Sequence, residues 1–407
     1  MFAIVTGCCL AAILIYLIFE KRQVKKCHRI VPIRVCVTGT RGKSSITRMI
    51  TWLLQQEGLP TCGKITGTNA RFLLSDGTEE PIVRKRPATI LEQKRMLKRA
   101  AESGAYAFVS EVMSVTPEYQ NAETKRILSP THLVISNVRA DHLSVTGSTL
   151  KEIGSVFFRS APAHTVIVSA RETFEKYGSC LPSSNPVVPV DTDHIPFDPG
   201  DFSYPEFPEN YALAVSCVEA VLKKLSKSES GRSVPIARAS DPKTISMKGL
   251  KSDFGILRAW KAFGKVFISG FAANDPESTE RILQISEQTF RFSRSETIGV
   301  CHLRIDKGER SLQWLEEWQR KGIPFRKLFL IGGHAVAVKR RLRNPKVILL
   351  RDTTIEQTIK HLSEETGCAV FGFGNIKGFG TRYVEYFASD PAQFPPCAIR
   401  IEKERLS

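Results

Sequence analysis

The sequence predicts an α/β protein: a parallel sheet with helices on its faces, a second α/β domain after it, and one membrane-length apolar helix in front. Three observations carry that prediction. From residue 33 onward, short apolar runs alternate with longer amphipathic ones, the pattern of strands joined by crossover helices. One strand-to-helix junction holds a glycine-rich loop ending in Gly-Lys-Ser. The head of the chain, MFAIVTGCCLAAILIYLIF, carries no charge.

As a helix, that head spans about 28 Å, enough to cross a bilayer core. EKRQVKKCHR follows, and Lys21, Arg22, Lys25, Lys26 and Arg29 would hold that end in the cytoplasm. A cleaved signal peptide wants a basic segment first, a shorter apolar run and a small-residue cleavage site after it. The sequence therefore reads as a single-pass cell-membrane anchor over 1–19 and a basic juxtamembrane linker over 20–32, with the bulk cytoplasmic. The ten cysteines are scattered, without metal or redox spacing, which suits a reducing compartment.

The stretch VCVTGTRGKSSITRM opens the first domain. Residues 33–37 predict a buried strand, and Ile46, Met49, Ile50 and Leu53 predict a helix over 44–57. Gly39 and Gly42 permit a tight loop whose backbone N–H groups point inward, Lys43 adds a mobile positive charge, and the helix start adds its dipole. Ser44 is placed to ligate a magnesium ion on bound phosphates. The general phosphate-loop pattern has a glycine where this chain has Val37, so an ordinary turn is the competing reading.

Further strands are expected over 106–109, 133–136 and 165–168, with helices over 91–102, 150–159 and 211–225. Residues 178–209 look loop-rich, and 223–243 read as a polar connection. A second alternating block predicts strands over 266–270, 297–301, 328–331, 347–350 and 369–373. The expected division is a nucleotide-binding domain over 33–262, a second α/β domain over 263–390 and a tail over 391–407.

Polar residues collect where the strands end: Ser110-Glu111 after one, Asn137, Asp141 and His142 after another. In an open parallel sheet, ligands sit beyond the carboxyl ends of the strands, so the loop, Glu111 and Asp141-His142 are expected to share one crevice. Glu111 offers a hard oxygen to magnesium, and His142 could ligate a second ion or bond a phosphate oxygen. Each also has a plainer reading: Glu111 as an ion-pair partner, His142 as a satisfied buried imidazole, Asp141 as a helix cap. The formal charge of +17 suits anionic lipid, an acidic substrate or nucleic acid. Nucleic acid is not expected, since no aromatic-basic or zinc-finger motif accompanies the charge.

These residues resemble the Mur ligase superfamily, which shares the Thr-Gly-Thr-x-Gly-Lys-Ser loop, the strand-end glutamate and Asn-x-x-x-Asp-His in this order. GTRGKSSITR, GKITGTNAR, SEVMSVTPEYQ, FPENYALA, SGFAANDPEST and GFGNIKG, behind an uncharged anchor, resemble more closely the ligase subunit of poly-γ-glutamate synthase, CapB type. The likeness covers nearly the whole chain. It implies a Mur-type ATP-binding domain and a Rossmann-like C-terminal domain. It places Gly39, Thr40, Arg41, Gly42, Lys43, Ser44 and Ser45 on ATP, with Asn210 at the adenine and Arg258 reaching the nucleotide. Ser44, Glu111 and His142 become metal positions, and Lys43, Glu111 and His142 the catalytic set. Asn274 and Asp275 fall in a segment facing the nucleotide.

The resemblance further implies ATP-dependent amide formation through an acyl phosphate, with Mg2+. The implied partners are glutamate, a growing poly-γ-glutamate chain and integral membrane subunits. Arg71, Lys85, Arg86, Arg304 and Arg310 are candidates for substrate carboxylates, arginine being suited to a bidentate grip, with solvated surface charge as the competing reading of each. Two departures stand out. Phe157 and Phe158 occupy the neighbourhood where many Mur ligases carry a carbamylated lysine, and the UDP-sugar domain of the muramyl ligases is missing ahead of the loop. A Mur-type ligase for another acid, or a membrane-tethered nucleotide switch without ligase activity, are the alternative readings.

Overall fold

The computed structural model describes residues 2–67, 69–141, 145–226, 241–350 and 354–401. They fall into two compact units, Met1–Phe197 with Pro208–Leu250, and Asp198–Phe207 with Lys251–Ser407. The expected boundary near 262 sits at the end of a strand belonging to the second unit's sheet.

The first unit begins with helix α1 (Phe2–Ile30), which is long and apolar enough over Ile4–Ile30 to cross a membrane by length and composition. The stretch expected as a linker is thus the continuation of this helix. Then come β1 (Ile33–Thr38), α2 (Lys43–Gln56), β2 (Thr61–Ile65), β3 (Arg71–Leu73), β4 (Glu79–Pro81), α3 (Leu91–Glu102) and β5 (Ala107–Glu111). After them run α4 (Pro117–Asn121), β6 (His132–Ile135), α5 (Leu150–Arg159), β7 (Val166–Ala170), α6 (Arg171–Tyr177), β8 (Val187–Val190) and α7 (Pro208–Ser226). β8 lies inside the stretch expected to be loop-rich.

Among the described residues, eight strands form one sheet in the order β4-β3-β2-β5-β1-β6-β7-β8. The six from β2 to β8 in that order are parallel, as the alternation predicts, while β3 and β4 add an antiparallel edge. β1 is apolar and β-branched because both of its faces are covered, and Val35, Cys36 and Val37 are fully buried. α2 and α7 pack together over one face. On the other, Cys27 of α1, Leu97 and Ala101 of α3 and Phe157 and Phe158 of α5 share one apolar cluster. The chain leaves β1 toward β2 on one side and returns to β6 on the other, so the crevice of an open α/β sheet belongs at the carboxyl end of β1.

The second unit contains β9 (Arg258–Ala262), β10 (Lys265–Ser269), α8 (Pro276–Phe290), β11 (Thr297–His302), α9 (Gly308–Lys321) and β12 (Lys327–Ile331). α10 (Ala335–Leu342), β13 (Val347–Leu349), α11 (Ile355–Glu364), β14 (Ala369–Gly374) and α12 (Thr381–Ala388) complete it. Its sheet runs β13-β12-β11-β14-β10-β9, parallel except for the β9–β10 hairpin. The segment expected as a tail lies along β9: Cys397 N donates to Ala259 O at 2.8 Å, and Phe394, Ile399 and Ile401 are buried.

Candidate functional site

The loop between β1 and α2 is shaped by two glycines with positive φ, +118° at Gly39 and +82° at Gly42. No other residue fits either place. A Cβ on Gly39 would meet Ser136 Oγ at 2.2 Å, and one on Gly42 would meet Asn210 Oδ1 at 2.3 Å. The second contact shows that α7 delivers Asn210 to the loop.

The exit of β6 holds the loop in shape. Arg41 N donates to Asn137 Oδ1 at 3.0 Å, and Asn137 Nδ2 donates back to Arg41 O at 3.1 Å. Thr40 N donates to Asn137 O at 3.0 Å, and Arg139 N donates to Thr40 Oγ1, also at 3.0 Å. Asn137 is therefore a backbone brace, a role its place in the sequence motif does not reveal. Asp141 Oδ2 lies 3.4 Å from Arg41 Nη2, so this strand-end acid also reaches the loop. His142 lies outside the described residues.

Lys43 opens α2 and folds its ammonium back over the loop, 2.8 Å from Gly39 O and 3.1 Å from Thr40 O. Ser44 Oγ donates to Glu111 Oε2 at 3.1 Å, and the same oxygen accepts from Thr66 N at 2.9 Å. A hydroxyl and a nearly buried carboxylate, both hard oxygen donors at the mouth of the loop, suit Mg2+, which takes one or two protein oxygens and fills its octahedron with phosphate and water. Among the described residues no group of three His, Cys, Asp or Glu side chains could hold a metal by itself. Of the expected set, the structure thus brings together Gly39, Thr40, Arg41, Gly42, Lys43, Ser44, Glu111, Asp141 and Asn210, with Ser45 in the first turn of α2.

Beneath the crevice lies a charged network that the sequence reading passes over. Lys64, at the end of β2, is fully buried, with Nζ 3.0 Å from Glu92 Oε1; Arg84 Nε lies 2.7 Å from Glu92 Oε2. Burial alone would raise the Glu92 carboxyl, but the Arg84 hydrogen bond and Lys64 outweigh it and hold it at about 2. Burial pulls the Lys64 ammonium below its ordinary value, with Glu92 opposing. Gln93 Nε2 donates to Glu111 O at 2.9 Å, and Glu123 accepts from the backbone N–H groups of Met113 and Ser114, so the exit of β5 is braced from two sides.

The remaining candidates are distributed. Arg71 opens β3, and Lys85 and Arg86 are exposed on the loop before α3. In the second unit, Arg258 Nη2 donates to Ser252 Oγ at 3.3 Å, and burial lowers its pKa while Asp253 opposes. Asp275 caps α8 by accepting from Ser278 N at 2.8 Å, with Asn274 just ahead of it. Arg304 pairs with Asp306 through Nε at 2.8 Å, and Arg310 Nη1 donates to Asn375 Oδ1 at 3.2 Å. Arg304 also lines a cavity of about 420 Å³ at the carboxyl ends of β11, β12 and β14, shared with His302, Lys377 and Arg382. Lys377 and Arg382 were not singled out from the sequence; GFGNIKG marks their region.

Residues 37–173 match the Mur ligase middle domain, and residues 258–390 match the poly-gamma-glutamate synthase CapB C-terminal domain. The chain is 30% identical over 403 residues to the PGA synthase CapB of Bacillus subtilis (strain 168), covering 95% of this chain and 97% of that one. It is 31% identical over 338 residues to the capsule biosynthesis protein CapB of Bacillus anthracis, covering 80% and 68%. Among solved structures it resembles the Mycobacterium tuberculosis folylpolyglutamate synthase complexed with ADP and AMPPCP, with a TM-score of 0.60 at 14% identity over 91% of this chain and 95% of that one. The last likeness is one of fold.

Proposed function

The chain belongs to the CapB family of Mur-type ligases, and on that premise we propose that it is an ATP-dependent ligase that elongates poly-γ-glutamate through an acyl phosphate. What supports the reading is the convergence of Lys43, Ser44 and Glu111 on one strand edge beside a glycine cradle. In this scheme ATP lies with its phosphates along residues 39–45 and its adenine near Asn210. A carboxylate oxygen of the growing polymer attacks the γ-phosphorus, and the bond to the β–γ bridging oxygen breaks to release ADP. The amine of an incoming glutamate then attacks the acyl carbon, the amide forms, and phosphate leaves.

The protein's part is placement and charge neutralisation. Lys43 moves from the carbonyls of Gly39 and Thr40 onto the phosphate oxygens. Ser44 and Glu111 would hold Mg2+, which would supply further neutralisation of the phosphates. Arg258, Asn274 and Asp275 are proposed as nucleotide contacts on the family resemblance, and His142 as a metal ligand. The anchor places the protein at the cell membrane beside integral subunits, with the catalytic domains cytoplasmic.

The deciding test is ADP release by the full-length protein in membranes with ATP, Mg2+ and single amino acids, with mass analysis of the products. Release should accelerate with glutamate and yield a longer γ-linked chain. A rate indifferent to every amino acid would favour the nucleotide switch. A product with a different acid would keep the ligase and replace the substrate.

The basic cavity lined by Arg304, Lys377 and Arg382 is proposed to take a substrate carboxylate. Arg304→Ala should raise the KM for glutamate about tenfold, the value of one charged hydrogen bond, with ATP affinity unchanged. Equal loss of both would remove Arg304 from substrate binding.

A further inference from the structure

α1 has a direction relative to the first sheet, and that direction says which edge meets the bilayer. Its last turns lie beside α3 and run the same way: Glu20 pairs with Lys94 in α3's first turns, while Cys27 joins Ala101 and Ala105 near α3's end. The start of α3 stands at the carboxyl edge of the strands, where Gln93 donates to Glu111 O at the end of β5 and Glu92 meets Lys64 at the end of β2. α1 is therefore antiparallel to the strands. Its residues 2–19 project about 27 Å beyond the carboxyl edge, the edge that carries the phosphate loop.

A second, independent observation agrees. Outside α1, the large apolar side chains exposed on this unit, among the described residues, are Val83, Leu91, Val115, Tyr119, Val145 and Leu150. All six follow the carboxyl ends of strands β4, β5 and β6. The opposite edge exposes Glu102, Ser103 and Gly104 after α3, Lys125 and Arg126 before β6, and Ser183 and Ser184 before β8. Val83, 81% exposed, is followed by Arg84, Lys85 and Arg86 in the sequence PIVRKRP, an apolar tip on a basic collar. Anionic headgroups are its chemical complement.

We propose that the carboxyl rim of the first sheet rests on an anionic bilayer surface, with the loop over 82–90 as its lipid contact, so that the nucleotide crevice opens toward the membrane. The proposal rests on reading α1 as a membrane span and needs no ligase activity. It is tested without nucleotide, on the full-length chain reconstituted into vesicles of phosphatidylcholine with about one-third phosphatidylglycerol, the anionic fraction that gives a charged surface. A fluorescent amino acid is encoded at Val83 or at Ser183, and the lipids carry a bilayer-embedded quencher.

Val83 should be quenched and Ser183 should not. Lys85→Ala with Arg86→Ala, both at exposed positions, should lower the lipid-docked to undocked ratio of the loop by about thirtyfold. Equal quenching at both positions would overturn the orientation. Quenching at Val83 that is the same in pure phosphatidylcholine and in the double variant would overturn lipid recognition by the loop. Quenching seen in native membranes alone would assign the rim to a membrane protein and overturn the lipid proposal.

Discussion

Lys43→Ala is expected to slow amino-acid-dependent ADP release by about 10²–10³-fold, the cost of losing one donor aimed at developing charge in a water-poor site. The argument starts from geometry. The Lys43 ammonium is held over the loop by Gly39 O and Thr40 O, while the exit of β6 fixes the turn through Asn137. Removing it leaves the fold's large apolar contacts untouched, because α2 packs through Ile46, Met49, Ile50 and Leu53. Thermal unfolding should therefore shift little while turnover collapses. Activity within tenfold of the parent would remove Lys43 from the reaction and leave it as a brace for the loop.

Glu92→Gln is expected to be the most damaging single change to stability outside the apolar core, at about 3–5 kcal/mol, because it strands the fully buried Lys64 ammonium without its counter-charge. The sign of the pH dependence follows from the same pair. Glu92 titrates near 2 in the folded chain against an ordinary 4.5, so its contribution is complete above about 4.5 and is lost as pH falls toward 2. Urea unfolding followed from pH 6 to pH 3 should show the parent losing stability along a slope that the variant lacks. The double change Lys64→Met with Glu92→Leu should recover much of the loss, since an apolar pair of similar volume often replaces a buried ion pair without penalty. A single variant as stable as the parent would mean that water reaches Lys64.

Much of the first crevice is legible in the sequence, because each of its parts is a polar break at the end of an apolar run. VCVTGTRGKSS, AFVSE and VISNVRAD each announce a buried strand and then its exit. Residues of this kind depend on local order alone. Lys64 does not. In TCGKI it reads as one polar position in a short strand, and its burial depends on cover that the strand itself does not specify. Glu92 and Arg84 answer it from another stretch of chain, with no periodic signal joining the three. The antiparallel strands β3 and β4 are three residues each, too short for a period-two pattern to register. Asn210 enters from the family resemblance; its approach to Gly42 depends on α7 crossing α2 far along the chain. The residues of the second unit are dispersed for a similar reason: Asp275 sits in a conspicuous motif, and a helix cap and a ligand contact look alike in sequence.

The docking of α1 has a practical side. Residues 20, 23, 24, 27 and 28 form the less exposed stripe of its last turns, and Cys27 and Val31 are sealed into the unit's interior. A truncated, water-soluble form that begins at Ile33 would therefore expose the flank of α3 and tend to self-associate. One that begins at Glu20 sheds the greasy head and retains the plug.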